Sequence, residues 1–284
     1  MNPYSNLVAD AARIVTEGRS LPLGGFSAAP RPEVPADAPK ALFFAPHPDD
    51  ETIAGGLALR LLREGKWNVI DIAVTQGRLA ERKAARWEEL CGACNYLGFG
   101  LEATAPGGLA NVRPATRARD AQAWSQMVGI IAGLLEKHQP KAIFFPHQSD
   151  WNDTHIGVHF LVMDALKAAT GVKCYLIETE FWGQMQTPNL MVEYSAGDVA
   201  DLVAATSFHV GEVKRNPYHL LMPAWMQDNV RRGAELVGGQ GGTAPQFMFA
   251  QLYDARKWDG SQVQQFFAGG RFLPVSANAA TLFP

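Results

Sequence analysis

Lys40-Ala-Leu-Phe-Phe-Ala-Pro-His-Pro-Asp-Asp-Glu51 opens with an apolar run suited to a buried strand and closes on one imidazole and three carboxylates. Helical spacing follows over 52–64, through Ile53, Leu57, Leu61 and Leu62. A buried strand, a charged loop and a helix in that order predict a βα unit. In an open α/β sheet, ligands bind at the carboxyl ends of such strands. Carboxylates packed in one turn repel one another, which is costly unless a cation or a proton relay uses them.

The unit repeats outward from this stretch. Strands are predicted over 68–75, Gly100–Ala103, 141–146 and 173–179, with helices over 79–97, 116–138 and 153–169. This alternation predicts a doubly wound, Rossmann-like α/β fold over 40–180, a mostly parallel sheet with helices on both faces. Ahead of it, 6–16 has helical spacing stopped by Gly18, and 21–39 holds five prolines in a long surface coil. Residues 1–39 therefore read as a leading helix and coil, and 181–284 as an irregular C-terminal extension completing the same domain. In that extension 199–206 and 223–236 are predicted helices, and Gly238-Gly-Gln-Gly-Gly242 breaks the chain. The extension suits either the rim of the site or a contact between copies of the chain, and a homo-oligomer stays open.

The chain has 284 residues, of which 47% are hydrophobic and 19% charged, a globular composition that excludes a disordered or fibrous protein. Its 25 basic and 28 acidic residues leave no footprint for a phosphate backbone, so nucleic acid is excluded as a partner. No apolar run approaches the roughly 18 residues of a membrane span. The first residues lack the basic start of a secretory signal, and three cysteines make no disulfide framework, so a cytoplasmic location with reduced thiols is expected.

His47 and Asp50 offer a nitrogen and an oxygen one turn apart, a pair that fits zinc. Asp49 points elsewhere and is free to hold a water. Singly, each of these residues is also at home in a helix-capping loop; together, at the tip of an apolar strand, they point to a metal. A second group, His147-Gln-Ser-Asp150-Trp151-Asn152-Asp153-Thr154-His155 with His159 beyond it, follows the strand at 141–146. If that strand lies beside the first, both groups open into one crevice, and one ligand from the second completes the open three-ligand site of a catalytic zinc. His155 and His159 share a helix face, His159 deeper in an apolar stretch that suits a core or supporting role. Cys91-Gly-Ala-Cys94 raises a thiol oxidoreductase, but it lies inside a helical run rather than at a helix start. No G-x-S-x-G elbow and no G-x-G-x-x-G fingerprint is present.

Ala45-Pro-His-Pro-Asp-Asp-Glu51 with Gly55-Gly56 resembles the signature of the PIG-L/LmbE-like zinc deacetylases. Val74-Thr-Gln-Gly77, Arg86 and Glu89 ahead of Leu97-Gly98, and Asp150-Trp-Asn-Asp-Thr-His155 add to the likeness, which covers about 40–180. The resemblance implies zinc, or another divalent metal, on His47, Asp50 and His155, with Asp49 as general base. It implies a hydrolase that removes acetyl, or a small acyl group, from an N-acetylglucosamine-like substrate. Candidate substrate contacts are Arg86, His147, Asp150 and Asn152. The second motif departs from the commonest family pattern, because Asn152 stands where a histidine assists the reaction. A proton donor for the leaving amine is then sought at His209, His219 or His147, with His219 favoured because Asn216-Pro217 marks a turn. The alternative is a non-catalytic metal- and sugar-binding module on the same fold, against which the spare carboxylate of Asp49 argues. Trp151 and Trp182 are the tryptophans nearest the expected mouth.

Overall fold

Short apolar runs alternate with amphipathic stretches, and in the computed structural model, which describes residues 2–284, they fold into alternating strands and helices. In chain order these are α1 (Ser5–Gly18), β1 (Lys40–Ala45), the single turn α2 (Asp50–Ile53), α3 (Gly56–Gly65), β2 (Asn68–Ala73), α4 (Lys83–Leu97) and β3 (Gly100–Ala103). They continue with α5 (Pro114–Arg119), α6 (Ala121–His138), β4 (Ala142–Pro146), α7 (Asp153–Ala168) and β5 (Cys174–Thr179). The extension adds β6 (Leu190–Tyr194), α8 (Ala196–Thr206), α9 (Val210–Arg215), α10 (Met222–Leu236), β7 (Phe249–Trp258), β8 (Val263–Gln265) and β9 (Arg271–Leu273).

All the strands join one sheet in the order β3-β2-β1-β4-β5-β7-β6-β9, with β8 paired to β7. The first five in that order are parallel, each to its neighbour. The order reverses between β1 and β4, the switch point at which a doubly wound sheet opens a crevice beyond its carboxyl ends. Side chains alternate across the sheet: Ala41, Phe43 and Phe144 pack on one face with Leu57 and Leu61. Leu42, Phe44, Ile143 and Phe145 pack on the other with Ile131, Leu135 and Leu161. The two-faced apolar content of β1 and β4 is thus what buries them.

Three predicted helices are divided. The helix expected over 52–64 is α2 and α3, broken at Ala54-Gly55. A Cβ on Gly56 would lie 2.6 Å from both Gln251 Oε1 and Tyr194 Cζ, so β6 and β7 press on this backbone too closely for any side chain. The helix expected over 116–138 is α5 and α6, because the Asp120 carboxylate accepts from Ala123 N at 3.0 Å and starts a new helix. The stretch 79–97 begins with a 3₁₀ turn, Ala80–Arg82, before α4.

The extension is irregular between its elements, yet it contributes to the same sheet. β7 runs antiparallel between β5 and β6. The coil before β1 is tied to the body by Gly24 N on Ser207 Oγ at 3.1 Å and Ala29 N on Tyr96 O at 3.1 Å. No helix among the described residues is long and apolar enough to cross a membrane.

Candidate metal centre and active site

The site begins at the end of β1, where the chain turns from strand into α2 within a few residues. Asp49 adopts φ 125°, a conformation rare for any residue but glycine, which marks local strain. The surroundings hold it there. Asp49 N donates to Glu51 Oε2 at 2.8 Å, and Glu51 Oε1 meets His209 Nε2 at 2.8 Å, both side chains fully buried. Thr52 Oγ1 donates to Asp49 O at 2.8 Å. His47 N donates to Asp50 Oδ2 at 2.9 Å, which aims the Asp50 carboxylate back over the loop.

Helix α7 delivers the third group. Asn152 caps it, its Oδ1 accepting from Thr154 N at 2.9 Å, so His155 sits in the first turn. His155 Nε2 lies 3.4 Å and His47 Nδ1 3.6 Å from Asp50 Oδ2. Ligands about 2.1 Å from a tetrahedral zinc are separated by about 3.4 Å, so these spacings match. One ligand atom from each of His47, Asp50 and His155 falls within 4.8 Å of the others. His155 Nε2 is buried without a hydrogen-bond partner, the state of a donor atom that awaits an ion. Its other nitrogen is 3.6 Å from Asp150 Oδ2, a carboxylate that orients the ring. The residues present fit a divalent cation.

Electrostatics support the fit. Burial lowers the His47 imidazole, against the pull of Asp50, and leaves it neutral as a ligand must be. Burial alone would raise Asp50, but His155 and His47 overcome it and hold the carboxyl below its ordinary range. Burial would likewise lower His155, yet Asp50 and Asp150 hold it above its ordinary value, which shows a site whose negative charge favours a cation. Asp49 is pushed up to about 7, first by burial and then by the adjacent Asp50. Tyr218 donates its hydroxyl to Asp49 Oδ2 at 2.5 Å.

A cavity of about 610 Å³ opens over this group, lined among others by His47, Asp49, Arg86, Asn152, Trp182 and Tyr218. Trp151, 69% exposed, stands at its edge. Of the expected substrate contacts, Arg86 and Asn152 line the cavity; Asp150 and His147 do not. Asp150 is occupied beneath it, accepting from Asn152 N at 2.8 Å and Gly183 N at 3.2 Å. None of the three histidines sought as proton donors lines the cavity. His209 is the buried partner of Glu51, His147 is held by Gly183 O at 2.9 Å, and His219 is buried. The turn marked by Asn216-Pro217 does serve the site, but it brings Tyr218 rather than His219. His159 is a supporting residue, its Nδ1 3.1 Å from Pro146 O.

Sequence reading missed Tyr218, Glu212 and the arginines Arg78, Arg82 and Arg215, which also line the cavity. The regular spacing of Arg78, Arg82 and Arg86 at four-residue intervals was the available signal. Cys91 and Cys94 lie within α4, and burial raises both thiols, the opposite of what a redox thiol needs.

Residues 42–166 match the family model described as PIG-L: GlcNAc-PI de-N-acetylase. Among solved structures, a conserved protein from Thermus thermophilus is similar at 18% identity and a TM-score of 0.55, over 75% of this chain and 93% of that one. The 4-carboxy-2-hydroxymuconate hydratase of Pseudomonas putida is similar at 17% identity and 0.54, over 76% and 95%. The N,N'-diacetylchitobiose deacetylase from Pyrococcus horikoshii is similar at 15% identity and 0.53, over 79% and 85%. At such identities the likeness is one of fold. No curated protein matches the sequence.

Proposed function

We propose an amide-hydrolysing function for this chain, which belongs to the PIG-L/LmbE-like deacetylase family: removal of an acetyl or other small acyl group from the nitrogen of an N-acetylglucosamine-like substrate. The observation that carries this reading is the buried His47, Asp50 and His155 group with the carboxylate of Asp49 beside it, open to one cavity. His47, Asp50 and His155 would hold the metal, and two nitrogens with one carboxylate favour zinc among divalent ions. Such an ion, when bound, polarises water and the amide carbonyl and offsets the charge that develops on oxygen.

The rest of the chemistry belongs to the protein's own groups. Asp49, a carboxylate open to the cavity beside the His47, Asp50 and His155 group, takes the proton from the attacking water. Tyr218 fixes its orientation through Oδ2. The amine leaves only when protonated. With His147, His209 and His219 all away from the cavity, Asp49 returns to the leaving nitrogen the proton it collected. Asn152 spends its oxygen on the helix cap and keeps its amide N–H groups for the substrate. The three cysteines are free, in keeping with a cytoplasmic location.

A second reading has two observations in its favour. The arginine-rich cavity and the fold shared with a hydratase of a carboxylated substrate suit addition of water to a double bond. The test is metal analysis joined to an amine-release screen over N-acetylated amino sugars. Free amine formed in proportion to bound metal supports amide hydrolysis. Metal-loaded protein that releases no amine overturns it.

A further inference from the structure

We propose that the substrate carries an anionic group, a carboxylate or a phosphate, seated by the arginines of the cavity mouth. The proposal rests on the amide-hydrolysis reading and concerns the part of the substrate remote from the amide. The whole chain has a net charge of −3. The cavity lining has the opposite sign: Arg78, Arg82, Arg86 and Arg215 face only Asp49 and Glu212. A bound divalent ion would deepen that positive field. Like charges gathered in a partly enclosed cavity repel, and a concave site focuses their field on whatever enters.

The pairing pattern shows how much of this charge is uncommitted. Glu212, on α9, is the one carboxylate among the arginines. Arg82 Nη2 lies 2.8 Å from it, Arg215 donates to its other oxygen, and Arg86 Nη1 is 3.9 Å away. Three guanidiniums therefore share a single negative charge. Arg78 is exposed and makes no ion pair among the described residues. Arg86 Nε is buried with no partner, although Nη2 donates to Pro48 O at 3.0 Å. Guanidinium forks match the oxygens of carboxylate and phosphate in a way that they do not match a neutral hydroxyl. The anion meets Arg78 first and shares Arg215 with Glu212, and the exposed ring of Trp151 stands beside the same opening.

The test measures binding apart from turnover. Metal-loaded protein is titrated calorimetrically with glucosamine, glucosamine 6-phosphate and muramic acid, the last two being phosphate and carboxylate forms of one amino sugar. At least one anionic form should bind roughly 10-fold or more tightly than glucosamine, as expected for a charge-assisted hydrogen bond. The preference should shrink as salt rises and collapse in Arg78→Ala and in Arg78→Ala/Arg215→Ala. Whichever form keeps the preference identifies the anion. Equal affinity for all three ligands overturns the proposal, and so does a preference that survives both variants. Arg78→Lys, with a melting curve, guards against loss of fold and should retain part of the preference. Acetate release from the N-acetylated forms of the same sugars reads the reaction separately. No release with the binding preference intact removes amide hydrolysis and leaves the anion subsite standing.

Discussion

β1 and β4 lie side by side in parallel, and each runs into the same dipeptide, Pro46-His47 and Pro146-His147. The two histidines meet different ends. His47 keeps 21% of its side chain exposed to the cavity and one nitrogen 3.6 Å from Asp50. His147 is buried, with Nε2 donating to Gly183 O and Nδ1 accepting from Ser149 N at 3.3 Å. Both of its nitrogens are spent, and no lone pair remains for an ion. The β1 loop reaches its helix at once through the strained Asp49, so its own histidine faces the metal site. The β4 loop is longer and held by Asp150, and its contribution comes instead from His155 in the first turn of α7. Whether a motif histidine is available to an ion depends on what its nitrogens meet, not on the dipeptide it sits in.

The largest effect that breaks or upholds this contrast is metal content. His47→Ala and His155→Ala should lose most of the bound metal and the activity with it, measured by elemental analysis after dialysis. His147→Ala should keep its metal and lose about 1–3 kcal/mol of stability, the consequence of leaving buried backbone groups unpartnered. Full metal in His155→Ala would sink the ligand assignment.

Beneath the first loop, His209→Ala strands Glu51 as a buried unpaired carboxylate. Denaturant unfolding should report a loss of about 3–5 kcal/mol. If stability holds and one limb of the pH–rate profile disappears instead, His209 is a proton donor after all. At the loop itself, Asp49→Asn should keep the metal and lose about 10²-fold or more in kcat. Metal lost together with rate would make Asp49 a ligand.

The smallest effect concerns the footing of the second loop, where Glu178 Oε1 lies 3.9 Å from His159 Nδ1. Burial, aided by Asp254 across the β5–β7 pair, pushes Glu178 up to about 7. Unfolded, a glutamate titrates at about 4.3. Between those values the folded chain binds more protons, so stability falls as pH rises through the window. Glu178→Gln should match the parent near pH 4 and exceed it at pH 8 by on the order of 1–3 kcal/mol. A difference that is constant with pH would place the effect elsewhere.

The parallel half of the sheet was legible because strands buried on both faces are apolar throughout, as in Leu42-Phe-Phe44 and Ile143-Phe-Phe145. β7 hid itself. Gln251, Asp254, Arg256 and Lys257 interrupt its apolar residues, yet Gln251 and Asp254 are buried by partners that only the folded chain supplies. That the two loops meet over one crevice followed from the switch point, and the choice of His155 within the second loop came from the resemblance. Tyr218 and Arg215 were not legible, since they come from the extension, and Arg78 and Arg82 lie before and within the 3₁₀ turn ahead of α4, where their four-residue spacing alone does not tie them to the motif. His219, favoured over His209 and His147 as the proton donor, lies next to Tyr218, and a single residue of turn geometry decides that Tyr218 is the one that lines the cavity.

The reach of β7 also ties an early part of the chain to a late one. Gln251 Nε2 donates to Ile53 O at 2.7 Å, while Gly56 N donates to Gln251 Oε1 at 3.2 Å and Leu57 N to Tyr253 Oη at 3.2 Å. The backbone just behind the Asp49 loop is therefore fastened by side chains that leave the ribosome long after it. Synthesis at about 5–20 residues per second leaves the outer edge of β5 without its neighbour for several seconds. Throughout that interval the nascent chain carries the motif but not its fastening. A chain cut short before Phe249 would carry His47, Asp50 and His155 but lack the side chains that fasten the backbone behind them.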